Sequence, residues 1–388
     1  MTTPALDGIR VLDFASVGPG ARASRMLSDY GADVVKLGPT PKDGAKQIVP
    51  PYYAYSGHRL MRRGLIDLKA DAGREAYLAL AKDADVVLES FRPGVVDRLG
   101  IGYEVTREVN DRIVYCSTSG FGQSGPQSAW AGHDVNYLAV SGYLDCTGRR
   151  ADGSPPLPGA TVADIAAGGM HAVMAIMAAL LRRERTGVGE FLDVSIADGA
   201  FGLMSLYVDE YLATGTEPGP GHYILTGRYA CYEIYTCADG RHLSVGAIEP
   251  AFWRNLCREL ELEHYADAQM DDALQDEIRA AFTAVFATRT RDDWAARLGP
   301  ADCCVAPVNT VAEAVDDPQY AARGMVVEAE HATEGVFRQT GPVWAGTTGP
   351  DGPYPVRDGA VTDTADLLAE AGYDRATIAE LLENGVIA

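Results

Sequence analysis

Three ionisable side chains occupy settings in which they could act together in acid–base chemistry. His133 stands in the glycine turn 131–134, Asp164 begins an apolar helical run, and Glu249 stands just before Pro250. An imidazole and a carboxylate are side chains that commonly move protons near neutral pH. A histidine in a turn, an aspartate N-cap and a glutamate before proline are also compatible with structural roles, so these residues alone leave the chemistry open.

Motifs for several other chemistries are missing from the sequence. The seven histidines include no i,i+4 pair and no H-E-x-x-H, so we expect no metal site. There is no G-x-S-x-G elbow and no G-x-x-x-x-G-K-[ST] loop. The run Gly18-x-Gly20-x-x-Ala23 matches a loose dinucleotide fingerprint, but Gly38 and Pro39 stand where an acidic residue would hold the ribose. This favours a plain strand–helix turn over a nicotinamide site.

The composition is that of a folded, soluble and acidic chain. The 388 residues are 47% hydrophobic and carry a formal net charge of -21. Such a surface repels phosphate backbones and anionic lipids, so we expect neither nucleic acid nor membrane as a partner. The first 100 residues are more balanced, with 14 basic and 12 acidic side chains, and are the place to expect an anionic ligand.

Cysteine spacing and apolar run lengths bear on the compartment. The seven cysteines are scattered without a C-x-x-C pair, which predicts reduced thiols and a cytoplasmic location. The longest nearly apolar run, 170–181, is too short to span a bilayer. The start of the chain shows no basic and apolar leader pattern.

The elements that must position these residues alternate between strands and helices. β-Branched runs predict strands over 9–15, 33–37, 85–89 and 112–116, with helices over 18–30 and 73–84. This alternation predicts an α/β fold with a parallel, doubly wound sheet. Asp164 is predicted to be the N-cap of a buried helix that runs to Arg185 and stops at Gly187.

The remaining sequence predicts a second, smaller domain. A helix over 201–215 precedes the glycine- and proline-rich run 216–221, and a hairpin is expected over 229–236 and 242–247. Loop-rich 345–353 leads to a helical tail with Leu367, Leu368, Ile378, Leu381 and Leu382 available for docking. We predict a large domain over 1–200 completed by 340–388, a linker helix and loop over 201–228, a small α+β domain over 229–330, and a return linker with C-terminal helices over 331–388.

In order and context these segments resemble the family III coenzyme A transferases, also called the CaiB-BaiF family, which includes the α-methylacyl-CoA racemases. The resemblance covers nearly the whole chain. Its matching stretches are 6–13, 30–36, 90–94, 98–100, 119–126, 132–134 and 246–250. It implies a Rossmann-like large domain, a smaller α+β domain and an interlocked homodimer, with the active site between one subunit's large domain and the small domain of the other.

The resemblance also implies roles for the three ionisable residues. Asp164 matches an aspartate that transferases use as a nucleophile and racemases use as an acid–base group. His133 before Asp134 is expected of racemases, whereas transferases typically carry an aromatic residue there, and Glu249 matches the racemase group that holds this histidine. The implied function is racemisation of 2-methylacyl-CoA thioesters through an enolate, in fatty acid metabolism. A CoA-transferase with Asp164 as covalent nucleophile and a non-catalytic acyl-CoA binder are the alternatives.

Coenzyme A would then enter as part of the substrate, with no permanently bound cofactor. Arg92 in Phe-Arg-Pro-Gly is expected to bind it, with Tyr137 and the turn from Gly132 to Asp134 near the pantetheine. Further cationic contacts are expected from the N-terminal quarter, namely from Arg59, Arg62, Arg63 and Lys69.

The enolate oxygen needs hydrogen-bond donors, and backbone N–H groups just after Asp164 are candidates. The chain departs from the family pattern at Gly38, at Ala160, where racemases commonly have Asn, and at Ala166, in place of a glycine run. We therefore expect the acyl pocket to differ from that of typical members.

Overall fold

The computed structural model describes residues 3–41, 51–54 and 59–388. The chain divides into two compact units. The first is built from both ends of the chain and comprises Met1–Gly142, Pro158–Ser205 and Gln319–Ala388. The second comprises Tyr143–Leu157 and Leu206–Pro318.

A six-stranded parallel sheet forms the centre of the first unit. Its strands are β1 (Arg10–Asp13), β2 (Asp33–Gly38), β3 (Met61–Leu65), β4 (Val86–Glu89), β5 (Val114–Ser119) and β6 (Glu190–Ser195). They lie in the order β3-β2-β1-β4-β5-β6, and every neighbouring pair is parallel. The central strands are short valine-rich runs that are buried on both faces, as parallel strands usually are. The predicted α/β class with a parallel sheet is confirmed.

Helices connect these strands. They are α1 (Gly18–Asp29), α2 (Asp71–Lys82), α3 (Val95–Leu99), α4 (Tyr103–Val109), α5 (Asp134–Val140), α6 (Tyr143–Cys146, in the second unit), a π-helix (Ala163–Met170), α7 (His171–Thr186) and α8 (Ile196–Leu203). On one face of the sheet, Val173 and Ile176 of α7 share a core with Val86. On the other, Tyr77 of α2 shares a core with Val87. Helices on both faces bury the sheet and leave the ends of its strands open to loops.

The π-helix and α7 together form the segment Ala163–Thr186, which is long and apolar enough to cross a membrane by length and composition. Buried helices of soluble proteins meet the same criterion, and 44% of the most apolar part of this segment is buried. Its side chains Val173, Ile176 and Leu180 pack against the sheet. We therefore assign this segment to the core of the first unit.

The second unit holds a small antiparallel sheet with helices. Besides α6, its elements are α9 (Ser205–Thr214), β7 (Tyr232–Thr236), β8 (His242–Gly246), α10 (Pro250–Glu259), α11 (Gln275–Phe286), α12 (Arg291–Leu298), β9 (Val305–Pro307) and α13 (Val311–Val315). The short helix α14 (Pro318–Ala322) begins at the last residue of this unit and otherwise belongs to the first. The sheet has the order β7-β8-β9. Its core contains Trp253, Phe282, Phe286 and Trp294. The predicted hairpin is confirmed as β7–β8.

The single helix predicted over 201–215 is wrong. The structure has two helices, α8 and α9, and the backbone of Met204 leaves helical geometry between them. Apolar periodicity continues across the break, so the sequence pattern alone does not reveal it.

The chain then returns to the first unit with β10 (Val326–His331), β11 (Gly335–Thr340), β12 (Tyr354–Val356), α15 (Thr364–Glu370) and α16 (Arg375–Glu383). Strand β10 pairs antiparallel with β11 and parallel with β12. In the tail, Leu367, Leu368, Ile378 and Leu381 join the core beside α2, as predicted, whereas Leu382 stays 45% exposed.

Candidate active site

A cavity of about 450 Å³ lies in the first unit at the carboxyl ends of its central strands. Its walls come from the start of α1, from the turns after β4 and β5, from the segment leading into α5, and from the first turn of the π-helix. The chain leaves β1 and β4 toward opposite sides of the sheet, which opens a crevice between these neighbours. Of the predicted site residues, Arg92, Gly132, His133, Tyr137 and Asp164 line this cavity.

The turn that presents His133 is held by two hydrogen bonds. The backbone N–H of His133 donates to Oδ1 of Asn136 at 3.0 Å, and the hydroxyl of Tyr137 donates to the carbonyl of Gly132 at 2.7 Å. A Cβ on Gly132 would lie 2.8 Å from the Tyr137 ring, so a larger residue would displace that ring. The exposed imidazole of His133 therefore extends from a turn whose backbone is fixed.

Asp164 lies in the first turn of the π-helix and is half-buried. Its backbone N–H donates to Oδ1 of Asp134 at 3.0 Å. Burial, followed by the negative charge of Asp134, raises the pKa of the Asp164 carboxyl, and the nearby charges of Arg22 and His133 oppose this rise only in part. The result is a carboxylate that is more basic than an exposed aspartate.

The prediction that Asp164 is a helix N-cap is wrong. Val162 precedes the π-helix and already has helical backbone angles, so Asp164 lies inside the first turn. The N–H groups at a helix start need acceptors from outside the helix. Asp134 supplies one of them by accepting from the N–H of Asp164.

The backbone donors nearest to Asp164 are already engaged. Its own N–H donates to Asp134, and the N–H of Ile165 donates to the carbonyl of Thr161 at 3.0 Å. The prediction that N–H groups here would hold an enolate oxygen has no support from these two groups.

The π-helix is packed tightly by small residues. A Cβ on Gly168 would lie 2.5 Å from Cβ of Pro19 in α1, and a Cβ on Gly199 of α8 would lie 2.3 Å from the carbonyl oxygen of Ala167. Larger residues at either position would push the backbones apart. These contacts fix the helix turn that carries Asp164 against its two neighbours.

Sequence reasoning missed Glu89, the last residue of β4. Its side chain is only 2% exposed, and Oε2 accepts a hydrogen bond from the N–H of Phe91 at 2.7 Å. Burial raises the pKa of this carboxyl to about 7, although hydrogen bonds from Ser117 and Phe91 favour its charged form. Glu89 thus shapes the turn that carries Arg92. A glutamate directly after a buried valine run was the available signal.

The other predicted cationic contacts lie outside this cavity. Arg59 is fully buried, its Nη2 lies 2.5 Å from Oδ1 of Asp29, and its Nη1 donates to the carbonyl of Thr340 at 2.8 Å. These bonds occupy its guanidinium inside the fold, so the geometry gives no support to its predicted coenzyme A contact. Lys69 is exposed between β3 and α2 and does not line the cavity.

Arg62 and Arg63 do not line the cavity either. The guanidinium of Arg62 forms ion pairs with Asp33 at 2.6 Å and with Glu370 at 2.7 Å. Its charge is thereby balanced at the surface of the first unit. Arg92, by contrast, is exposed at the cavity wall, which makes it the predicted cationic contact that the geometry favours.

Glu249 belongs to the second unit, whereas His133 belongs to the first. It is exposed at the N-cap of α10, where its carbonyl accepts from the N–H of Trp253 at 3.0 Å. Its predicted pairing with His133 stays a prediction. Within the described residues, no group of three histidine, cysteine or acidic side chains is arranged to hold a metal ion.

Comparisons with known proteins agree on the family. CoA-transferase family III matches residues 6–355. Alpha-methylacyl-CoA racemase of Homo sapiens is 35% identical over 99% of this chain and 97% of its own length. Succinate--glutarate CoA-transferase of Agrobacterium fabrum is 32% identical over 84% of this chain and 86% of its own length.

Solved structures lead to the same result. A CAIB/BAIF family protein from Brucella suis superposes with a TM-score of 0.77 at 29% identity, covering 95% of this chain and 100% of that one. The resemblance inferred from the sequence motifs is thereby confirmed, and both racemases and CoA-transferases occur among the relatives. The chain belongs to CoA-transferase family III.

Proposed function

We propose that the protein is a racemase or epimerase of 2-methylacyl-CoA thioesters. The observation that carries this proposal is that His133 and Asp164 line the same cavity, because inversion next to a thioester carbonyl needs a proton-removing and a proton-delivering group. The 35% identity to a racemase over 99% of the chain supports it further. A cytoplasmic role in fatty acid metabolism belongs to the same proposal.

In the proposed reaction, one of the two residues removes the α-proton from one face of the substrate. The electron pair of that C–H bond moves into an enolate, and the other residue then delivers its own proton to the opposite face. The roles reverse for the other epimer. The raised pKa of Asp164 supports this assignment, because a more basic carboxylate is a better acceptor for a weakly acidic carbon proton.

The coenzyme A portion would lie along the other walls of the same cavity. Arg92 in the turn after β4 offers a guanidinium for a phosphate group, which such a side chain can bind with two parallel hydrogen bonds. Tyr137 and Gly132 form the wall beside His133. The strand order β3-β2-β1-β4-β5-β6 supports a Rossmann-like description of this domain, in which ligands bind at the crevice between β1 and β4.

The decisive experiment follows one epimer of a 2-methylacyl-CoA by proton NMR in deuterium oxide, without an acceptor acid. We expect deuterium to enter the α-position with loss of stereochemistry. A His133→Ala variant should abolish the exchange, and a His264→Ala variant, altered at an exposed histidine of the second unit, should not. Absence of exchange in the unmodified protein would refute the racemase proposal.

A CoA-transferase is the second candidate, favoured by the 32% identity to a succinate--glutarate CoA-transferase. There the Asp164 carboxylate would attack the thioester carbonyl and the C–S bond would break. The coenzyme A thiolate would leave, and the acyl group would remain on Asp164 as a mixed anhydride. Addition of a dicarboxylic acceptor acid to the same NMR sample distinguishes the two. Transfer of coenzyme A without α-exchange would favour the transferase.

A homodimer in which Glu249 of one subunit holds His133 of the other is part of the proposal. Chains carrying His133→Ala and chains carrying Glu249→Gln can be mixed after separate purification. If Glu249 acts across the interface, each mixed dimer contains one site with both residues intact. Each mixed dimer should then show about half the activity of an unmodified dimer. Unrestored activity in a verified mixed dimer contradicts the arrangement.

A further inference from the structure

A second cavity of about 360 Å³ lies in the first unit and shares no lining residue with the Asp164 cavity. Its walls come from the middle and end of α1, from Ile165 of the π-helix, and from the end of β11 with the loop that follows. This volume falls within the range of about 300–1,000 Å³ that is typical of small-molecule pockets.

One wall of this cavity carries excess positive charge. Asp29 accepts from two buried guanidiniums, with Oδ1 at 3.3 Å from Nε of Arg25 and at 2.5 Å from Nη2 of Arg59. The three side chains together carry one net positive charge, and each is at most 8% exposed. A buried net charge is costly unless it is paired.

Two members of this triad, Arg25 and Asp29, line the cavity, and Arg25 is the cation of the pair. Burial, followed by the positive charge of Arg59, lowers the pKa of Arg25 to about 10, although Asp29 favours its charged form. Its Nη2 donates to the carbonyl of Thr340 at 3.2 Å. An anion beside this guanidinium would balance the triad.

Another part of the cavity lining is apolar. Met26, Ile165, Val343 and Trp344 line it. Hydrocarbon placed against these side chains would be removed from water, which stabilises a complex in proportion to the apolar surface buried. The cavity lining therefore contains both charged and apolar side chains.

We propose that this cavity binds an organic monocarboxylate with a short hydrocarbon body, with the carboxylate on Arg25 and the hydrocarbon against Ile165 and Trp344. The site is separate from the cavity that holds Asp164, and the proposal holds whether the chain is a racemase or a transferase. Because Ile165 follows Asp164 directly in the chain, an occupant would contact the helix turn that carries Asp164.

Titration with octanoate, followed by tryptophan fluorescence, tests the proposal on the full chain. We expect a saturable change that disappears in Trp344→Phe, because Trp344 lines the cavity. Octan-1-ol, which has the same carbon chain and no charge, should bind about tenfold or more weakly. Equal affinity for the two ligands, or no saturable binding of octanoate, overturns the proposal.

Variants locate the bound ligand. Arg25→Gln should remove the preference for octanoate over octanol, and Arg92→Gln, in the other cavity, should leave octanoate binding intact. If Arg25→Gln fails to fold, Val343→Glu decides the question, because Val343 is 38% exposed at the cavity edge. Val343→Glu should weaken octanoate binding relative to the uncharged Val343→Gln. Loss of binding in Arg92→Gln alone, or equal binding by the two Val343 variants, contradicts the assignment.

Discussion

Two buried carboxylates end neighbouring strands of the parallel sheet, and they lie in opposite electrostatic surroundings. Asp13 ends β1 and Glu89 ends β4, and each accepts a hydrogen bond at 2.7 Å from the backbone N–H two residues further along the chain. Asp13 also lies 2.6 Å from Nζ of Lys36. Within residues 3–41, 51–54 and 59–388, no cation forms an ion pair with Glu89.

Both carboxylates are buried, so the difference between them lies in the countercharge: Asp13 has one and, among the described residues, Glu89 does not. Lys36 reaches from β2 and also donates to the hydroxyl of Ser24 in α1, so the charge of Asp13 ties the first strand, second strand and first helix together. Glu89 has hydrogen bonds without a countercharge, and burial raises its pKa to about 7. Burial also raises the pKa of the half-buried Asp164, although there the nearby charges of Arg22 and His133 oppose the rise in part.

The largest expected effect comes from removing the charge of Asp164. Asp164→Asn should lower the rate of α-exchange or of coenzyme A transfer about 10³-fold, as typical for loss of an acid–base group, and leave stability unchanged or higher. Steady-state kinetics and urea unfolding measure the two quantities. Because the pKa of Asp164 is raised, the acidic limb of the wild-type pH–rate profile should lie above about pH 3.9, the ordinary value for aspartate. Retention of full activity would remove Asp164 from the mechanism.

A Lys36→Met variant would leave Asp13, like Glu89 in the described part of the chain, buried without a countercharge. The buried Asp13 charge would lose its partner, and the free energy of unfolding should fall by about 3–5 kcal/mol. Urea unfolding measures this, with Lys69→Met as a control at an exposed lysine, where a change within about 0.5 kcal/mol is expected. Equal effects of the two substitutions would show that the ion pair of Asp13 does not matter for stability.

Removing the charge of Glu89 should raise the free energy of unfolding instead of lowering it. Because the folded pKa is above the unfolded value, the folded protein binds more protons between about pH 4.5 and 7, and stability falls as the pH rises through that window. Glu89→Gln should cancel this fall and stabilise the protein at pH 8 by on the order of 3 kcal/mol. Urea unfolding of both proteins at several pH values tests it. An unchanged pH dependence would mean that Glu89 does not titrate as described.

The smallest effect is expected from Ser117→Ala. The hydroxyl of Ser117 favours the charged form of Glu89, so its loss should raise the pKa of Glu89 further and cost about 1 kcal/mol at pH 8. The same substitution in a Glu89→Gln background should have a smaller effect. A double-mutant cycle measures the coupling, and additive effects would contradict the contact between the two side chains.

The sequence predicts the parallel sheet well and its side-chain partners poorly, for a physical reason. Valine-rich runs and glycine turns are local signals, and they correctly indicate β1, β2 and β4. The fate of Arg59 depends on Asp29, thirty residues away in the chain, and no local pattern reveals that pair. The charge balance of the N-terminal quarter therefore predicts a coenzyme A contact at Arg59 that its buried partners do not support.

The candidate site shows the same contrast between local motifs, which the sequence reveals, and contacts between distant segments, which it does not. The motifs around His133 and Asp164 indicate residues that do line one cavity. The sequence did not reveal that Asp134 accepts from the backbone of Asp164, because this contact joins segments that are thirty residues apart. It also did not reveal the π-helix, since the alanine- and glycine-rich run 163–169 has no apolar period that would distinguish it from an α-helix.

A π-helix closes each hydrogen bond one residue later than an α-helix. The segment Ala163–Met170 is thus equivalent to an α-helix that has gained one amino acid just ahead of α7. Deletion of Ala166 would let a regular helix run into α7 and would turn Asp164 by about 100° around the helix axis relative to the buried face of α7. The wider turn therefore sets the direction of the Asp164 carboxylate independently of the face that α7 packs against the sheet.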